Sequence, residues 1–213
     1  MKTEELVDLL ATGAEPVSRD TAARRFTLAL LVAALGALLL MQWKFGLRPD
    51  LASVAYTGLF LAKIALPTCI AIGALIATTR LSRPGAKIGR AQLLVGMPIA
   101  LVWLAGAISV CMAEPQDRPL LLFGMSWRTC PFNILMLSIP GFIAVFVAVR
   151  SLAPTNLRLA GASAGLLSSS IATIAYCLHC PEMSPAFWSI WYVLGMVLVA
   201  ALGAALGPKL LRW

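Results

Sequence analysis

Six apolar stretches, each about 18 to 25 residues long and almost free of charge, occupy nearly all of the chain after residue 25. A hydrocarbon layer about 30 Å thick takes about 20 apolar residues per helical crossing. Backbone inside that layer must satisfy its own hydrogen bonds. The pattern predicts an all-α fold, an integral membrane bundle of six transmembrane helices. The composition agrees, with 60% hydrophobic and 12% charged residues, against about 45–50% and 25% in soluble domains. Soluble folds are excluded, and 213 residues leave no room beside six crossings for a second globular domain.

The expected spans are 26–45, 54–79, 91–113, 131–149, 157–178 and 186–207. The apolar run from Phe26 to Met41 outlasts a signal-peptide core of about 7–15 residues, and no small-residue cleavage site follows it. The first crossing is therefore expected to stay as an anchor. Lys2, Arg19, Arg24, Arg25, Arg80, Arg83, Lys87, Arg90, Arg150, Arg158, Lys209 and Arg212 fall on one side of this arrangement. Only Lys44, Arg48, Arg118 and Arg128 fall on the other. The positive-inside rule then puts the N- and C-termini in the cytoplasm. On this reading the net charge of +8 reflects retained loop cations rather than affinity for nucleic acid. Trp43, Trp127, Tyr176, Trp188 and Trp191 are expected near the outer interface.

Lipid gives helices no hydrophobic reason to associate, so small residues must mediate packing. Gly161-x-x-x-Gly165 and Gly203-x-x-x-Gly207 are the evident stripes, serving either the bundle or a dimer seam. Ser163, Ser168, Ser169, Ser170 and Thr173 are placed to hydrogen-bond across a helix pair. Pro67, Pro98 and Pro140 lie inside spans, where neighbouring helices absorb a kink.

Chemistry is sparse. The spans hold one ionisable group, Lys63, expected about ten residues deep with no intramembrane carboxylate to pair with. A polar cavity, a carbonyl partner or snorkelling would each accommodate it. The single histidine, His179, supports no catalytic triad, so an enzyme is not expected. Four of the five cysteines, Cys111, Cys130, Cys177 and Cys180, fall at outer helix ends, and Cys69 lies mid-span. In an oxidising periplasm Cys130 and Cys180 could bridge if their helix ends are neighbours. Two thiolates with His179 could instead capture a soft ion. A static disulfide staple and a thiol sensor both remain open here.

Residues 1–25 form the remaining segment, a cytoplasmic head ahead of the six-helix domain at 26–213. Thr3 can cap a short helix carrying Glu4 and Glu5 in its first turn. Leu6, Leu9 and Leu10 make an apolar stripe, with Glu5 and Asp8 on the polar face, and Gly13 and Pro16 end the helix. Ten residues are marginal as an isolated helix, and an acidic face disfavours anionic lipid. A protein groove with basic edges fits the stripe better.

Several motifs together carry a resemblance. They are Arg48-Pro49-Asp50-Leu51, Ser126-Trp127-x-x-Cys130, Leu152-Ala153-Pro154-Thr155, Leu178-His179-Cys180-Pro181-Glu182 and the closing Leu206-Gly207-Pro208-Lys209-Leu210-Leu211-Arg212-Trp213. With the six spans and the short head, the chain resembles the NrsF family of negative regulators of sigma F. The resemblance implies an anti-sigma factor of the bacterial inner membrane, a multi-pass protein. Such a protein would sequester an extracytoplasmic-function (ECF) sigma factor and release it under redox or heavy-metal stress. It places the sensing thiols at Cys130 and Cys180; Cys177, His179 and Cys111, by their place at the outer helix ends, are candidate helpers, although Cys111 and Cys177 match no motif of the family. A transient metal ion would bind at Cys130 and Cys180, with His179 a further candidate ligand, and no resident cofactor is expected. The sigma contact falls on Leu6, Leu9, Leu10, Glu5 and Asp8. Partners are the sigma factor and the lipid bilayer, without direct nucleic-acid contact or a small-molecule substrate. A permease for a metal or small solute, or a purely structural subunit, are the competing readings.

Overall fold

A computed structural model describes residues 3–12, 20–83, 85–86 and 88–212, leaving aside the side chains of 9–11. Among the described residues the chain is helical, without strands. In order the elements are α1 (Thr3–Thr12), α2 (Thr21–Lys44), α3 (Leu51–Val54), α4 (Gly58–Leu81), α5 (Ala91–Met112) and α6 (Arg118–Phe123). They continue as α7 (Cys130–Leu137), α8 (Ile139–Arg150), α9 (Leu157–Cys177), α10 (Pro185–Phe187), a π turn (Trp188–Tyr192) and α11 (Val193–Leu210). Five helical segments are long and apolar enough to cross a membrane, namely α2, α4, α5, α9 and the continuous run from Pro185 to Leu210. A sixth arises if α7 and α8 count as one span, bent by 46°.

The break has a local cause. Pro140 lies in the first turn of α8 and lacks the N–H needed to continue the α7 ladder. Ser138 between them turns its hydroxyl back onto the Ile134 carbonyl at 2.6 Å. Pro67 and Pro98, by contrast, sit within α4 and α5, which run on past them. Gly36 makes room for the Pro140 ring, since a Cβ there would come within 2.5 Å of it.

The packing reverses the pattern of a water-soluble protein. On α2 the buried face is Ala29, Ala33, Ala37 and Met41, while Leu28, Leu31, Leu35 and Leu39 point outward. On α5 Leu93, Met97, Leu101 and Leu104 are likewise exposed. Small residues inside and large apolar ones outside suit helices solvated by lipid tails, and so much exposed leucine fits a membrane protein. At the centre lies α9, whose buried residues run its whole length. It packs most extensively on α11, through both glycine stripes. A Cβ on Gly161 would strike the backbone of Gly203, and one on Gly207 would strike Leu157. The stripes therefore serve this bundle.

Several expectations are corrected. Thr3 is the first helical residue of α1 and not its cap. The first helix of spanning length starts at Thr21, inside the segment assigned to the head. The second starts at Gly58 because Leu51–Val54 forms its own turn, so Lys63 is only the sixth residue of α4. Trp188 and Tyr176, expected among the interfacial aromatics, are buried in the core. Most hydroxyls on α9 return to their own helix: Ser163 bonds Ala160, Ser168 bonds Ala164 and Thr173 bonds Ser169. Ser169 and Ser170 reach across to Met196 on α11.

Candidate functional site: a buried thiol and cation cluster

Helix α9 ends at Cys177 because Pro181 lies four residues on. A residue before proline is pushed toward extended backbone, so Cys180 cannot stay helical. The loop that follows leaves carbonyls without helical partners, and Cys180 is fully buried. Unpaired carbonyls there would each cost on the order of several kcal/mol in a lipid-like environment. Side chains from other elements satisfy them. The Lys63 ammonium donates to the Cys180 carbonyl at 2.6 Å and to the Glu182 carbonyl at 2.8 Å. The Arg48 guanidinium also donates to the Cys180 carbonyl, at 3.3 Å. The Trp188 indole N–H donates to Glu182 O at 3.0 Å, and the Arg48 backbone N–H to Leu178 O at 3.1 Å.

Lys63 is 0% exposed, and Arg48 is 7% exposed. Of the three placements open to Lys63, the structure selects the carbonyl partner. Its ammonium also lies 5.8 Å from the centre of the Tyr192 ring. Arg48 forms a two-pronged ion pair with Asp50, both hydrogen bonds at 2.7 Å. That hydrogen bond holds the Asp50 carboxyl below its usual range and pushes the Arg48 guanidinium up.

The thiols gather around these groups. Cys130, Cys177 and Cys180 are all buried in one apolar cluster, and all five cysteines are free thiols. Cys130 opens α7 with Pro131 in the first turn, a position that tolerates the missing N–H. The Cys177 thiol donates to the carbonyl of Lys63 at 3.8 Å. The Tyr176 hydroxyl accepts from Asn133 at 3.4 Å and lies beside Cys130 and Cys180. The Tyr192 hydroxyl faces Cys177 and Cys180, buried and without a hydrogen-bond partner among the described residues. A buried orphan donor is uncommon, and this one is available to a sulfur that ionises.

Glu182 secures the Cys130 side. Its carboxylate accepts from the Met125 N–H at 2.7 Å and from the Ser126 N–H and hydroxyl at 3.2 Å each. Ser126 O in turn accepts the Cys130 N–H at 2.9 Å. Gly124 stands against this carboxylate at φ +51°, where a Cβ would meet Glu182. One residue thus joins the two loops that carry Cys130 and Cys180.

Other candidates lie apart. His179 stacks on Phe45 with ring centres 5.0 Å apart, and its Nδ1 lies 3.0 Å from Gly46 O. Among the described residues no three His, Cys, Asp or Glu side chains are placed to hold a metal ion, so His179 does not complete a site with the two cysteines. Cys111 is exposed at the end of α5, outside the thiol cluster. In the head, α1 forms as expected and Leu6 is 40% exposed with Glu5 and Asp8 also exposed. The Leu9 and Leu10 side chains lie outside the described residues. Sequence reasoning missed Arg48 and Glu182 as site residues. Their charge was visible, but their partners are main-chain groups far away in the chain.

Comparison with known proteins completes the picture. The family model described as "Negative regulator of sigma F" matches residues 10–213. Over 213 residues, covering the whole of both chains, this chain is 45% identical to the "Probable anti-sigma-F factor NrsF" of Azospira oryzae. It is 34% identical over 215 residues, again the whole of both, to the "Anti-sigma-F factor NrsF" of Caulobacter vibrioides. No solved structure matches the chain. A match across nearly every element, site loops included, makes this chain a member of the NrsF family, whose members are described as regulators and not as enzymes.

Proposed function

We propose that this chain is an anti-sigma factor of the bacterial inner membrane, crossing it six times with both termini in the cytoplasm. It holds a sigma-F-type ECF sigma factor through the head, using Leu6, Leu9 and Leu10 with Glu5 and Asp8. Chemistry at Cys130 and Cys180 on the periplasmic face releases that partner. The observation that carries the reading is the burial of both thiols in one cluster at the end of α2 remote from Thr21. Twelve basic residues on the Thr21 side against four on the other support the orientation.

Two routes for the signal share the same atoms. In oxidation, Cys130 and Cys180 lose two protons and two electrons to a quinone- or disulfide-class oxidant and form one S–S bond. In metal capture, both thiols release their protons to solvent and the two thiolates coordinate a soft divalent ion. Moving a partner from about 99% bound to 99% free requires about 5.5 kcal/mol between two packings. The S–S bond forms only in a packing that brings the two sulfurs to bonding distance, so it biases the bundle by the difference in free energy between that packing and the other.

The test uses the full-length protein in native membranes with a sigma-F-type sigma factor from the same genome. The wild type should retain the sigma factor and release it on treatment with diamide or cadmium ion. The double replacement Cys130→Ser/Cys180→Ser should retain it and fail to release. A wild type that retains nothing would end the anti-sigma reading.

A further inference from the structure

Lys63 is joined to the thiol loop twice. Its ammonium grips the carbonyls of Cys180 and Glu182, and its own carbonyl accepts from the Cys177 thiol. The bond partners are 117, 119 and 114 residues distant in the chain. Among the described residues the only ion pair is Arg48 with Asp50, so no carboxylate neutralises Lys63 directly. A buried ammonium whose acceptors are two carbonyls cannot lose them without being left unpaired.

We propose that Lys63 is the positioning residue that couples chemistry at Cys180 to α4, and that α4 carries the signal across the bundle. The proposal rests on the thiol-sensor reading above. In a cysteine the sulfur hangs from Cβ and the carbonyl carbon from the same Cα, so a bond to Cys130 that needs more than a turn about the Cα–Cβ bond draws the Cα along and swings the carbonyl. Lys63 must then follow it. Lys63 lies in the second turn of a helix that runs unbroken to Leu81. A helix rises 1.5 Å per residue, so a displacement near Lys63 reaches the far end as a rigid shift or rotation about 27 Å away. That end is also built into the structure: Thr78, Leu81 and Ser82 are buried, and the Arg80 guanidinium donates to Ile88 O at 3.3 Å.

The experiment compares full-length wild type with Lys63→Met in cells carrying a sigma-dependent reporter, read as treated over untreated output for each variant. Diamide is the oxidant, and the Cys130–Cys180 bond is scored on denaturing gels without reductant. Lys63→Met should form the bond as completely as the wild type while its reporter ratio falls about tenfold, a typical size for allosteric coupling. Bond formation and reporter ratio both at the wild-type level would overturn the proposal. If Lys63→Met does not accumulate, amide hydrogen exchange on the wild type in nanodiscs decides. Bond formation should then change protection along 64–81, and change confined to 157–180 would overturn it. A wild type that bridges while its reporter stays silent removes the sensor reading instead, and the exchange measurement then judges the coupling alone.

Discussion

At the scale of single residues, the site is governed by what satisfies the carbonyls of a buried loop. Arg48 and Lys63 are cations used as donors to main chain, which explains why two charges are tolerated among apolar neighbours. Tyr192 is the opposite case, a buried hydroxyl beside the Cys177 and Cys180 sulfurs with no well-formed hydrogen bond among the described residues. Tyr192→Phe should therefore raise stability in detergent by about 1 kcal/mol, while slowing the reaction of the neighbouring thiols with diamide. Thermal unfolding and timed alkylation after denaturation check the two halves. Asp50 gives a pH signature. Arg48 holds its folded-state value below the unfolded one of about 3.9. Its contribution is thus complete above that value and is lost as pH falls through the lower, folded one. Asp50→Asn should be less stable than wild type at neutral pH, with the gap closing as pH falls below the unfolded carboxyl's value of about 3.9 and the wild-type carboxyl takes up its proton.

At the scale of elements, α9 and α11 set the tolerance of the bundle. Gly161 and Gly203 meet backbone to backbone, so neither neighbour can yield to an added side chain. Gly203→Ile should cost about 3 kcal/mol, the upper part of the range for overpacking, measured as a lower unfolding midpoint in detergent. The bent pair of α7 and α8 behaves differently. Its break at Ser138 follows from Pro140, and Gly36 on α2 is shaped to the proline ring. The π turn at Trp188–Tyr192 performs a similar task ahead of α11, since one extra residue per turn re-aims side chains. It accompanies the turn of Trp188 toward Glu182 and of Tyr192 toward the thiols.

At the scale of the whole molecule, the three clustered thiols are sealed and Cys111 is open. Intact cells treated with a membrane-impermeant maleimide should therefore label Cys111 readily, while Cys130, Cys177 and Cys180 react only after denaturation. Mass spectrometry of the labelled peptides distinguishes them. Labelling of Cys111 only after the inner membrane is breached would reverse the proposed orientation. The sealed cluster also implies selectivity by size, because small ions and small oxidants can enter where bulky reagents cannot.

Much of this was legible in the sequence, for physical reasons that differ from feature to feature. Apolar length alone predicts the long apolar helices and where most of them lie, because a hydrocarbon layer accepts only self-satisfied helices. The glycine stripes announced their crossing, since close approach demands small residues at fixed spacing. The choice of Cys130 and Cys180 as the sensing thiols rests on motif resemblance, and nothing in their spacing dictates it. What only the tertiary structure decided is who answers the orphan carbonyls of the 178–182 loop. Every residue carries a carbonyl, so no pattern in a sequence marks the few that a distant Lys63 or Arg48 will meet. The same holds for Glu182 against the N–H groups of Met125 and Ser126. Main-chain partners have no side-chain identity, and only the folded path of the chain assigns them.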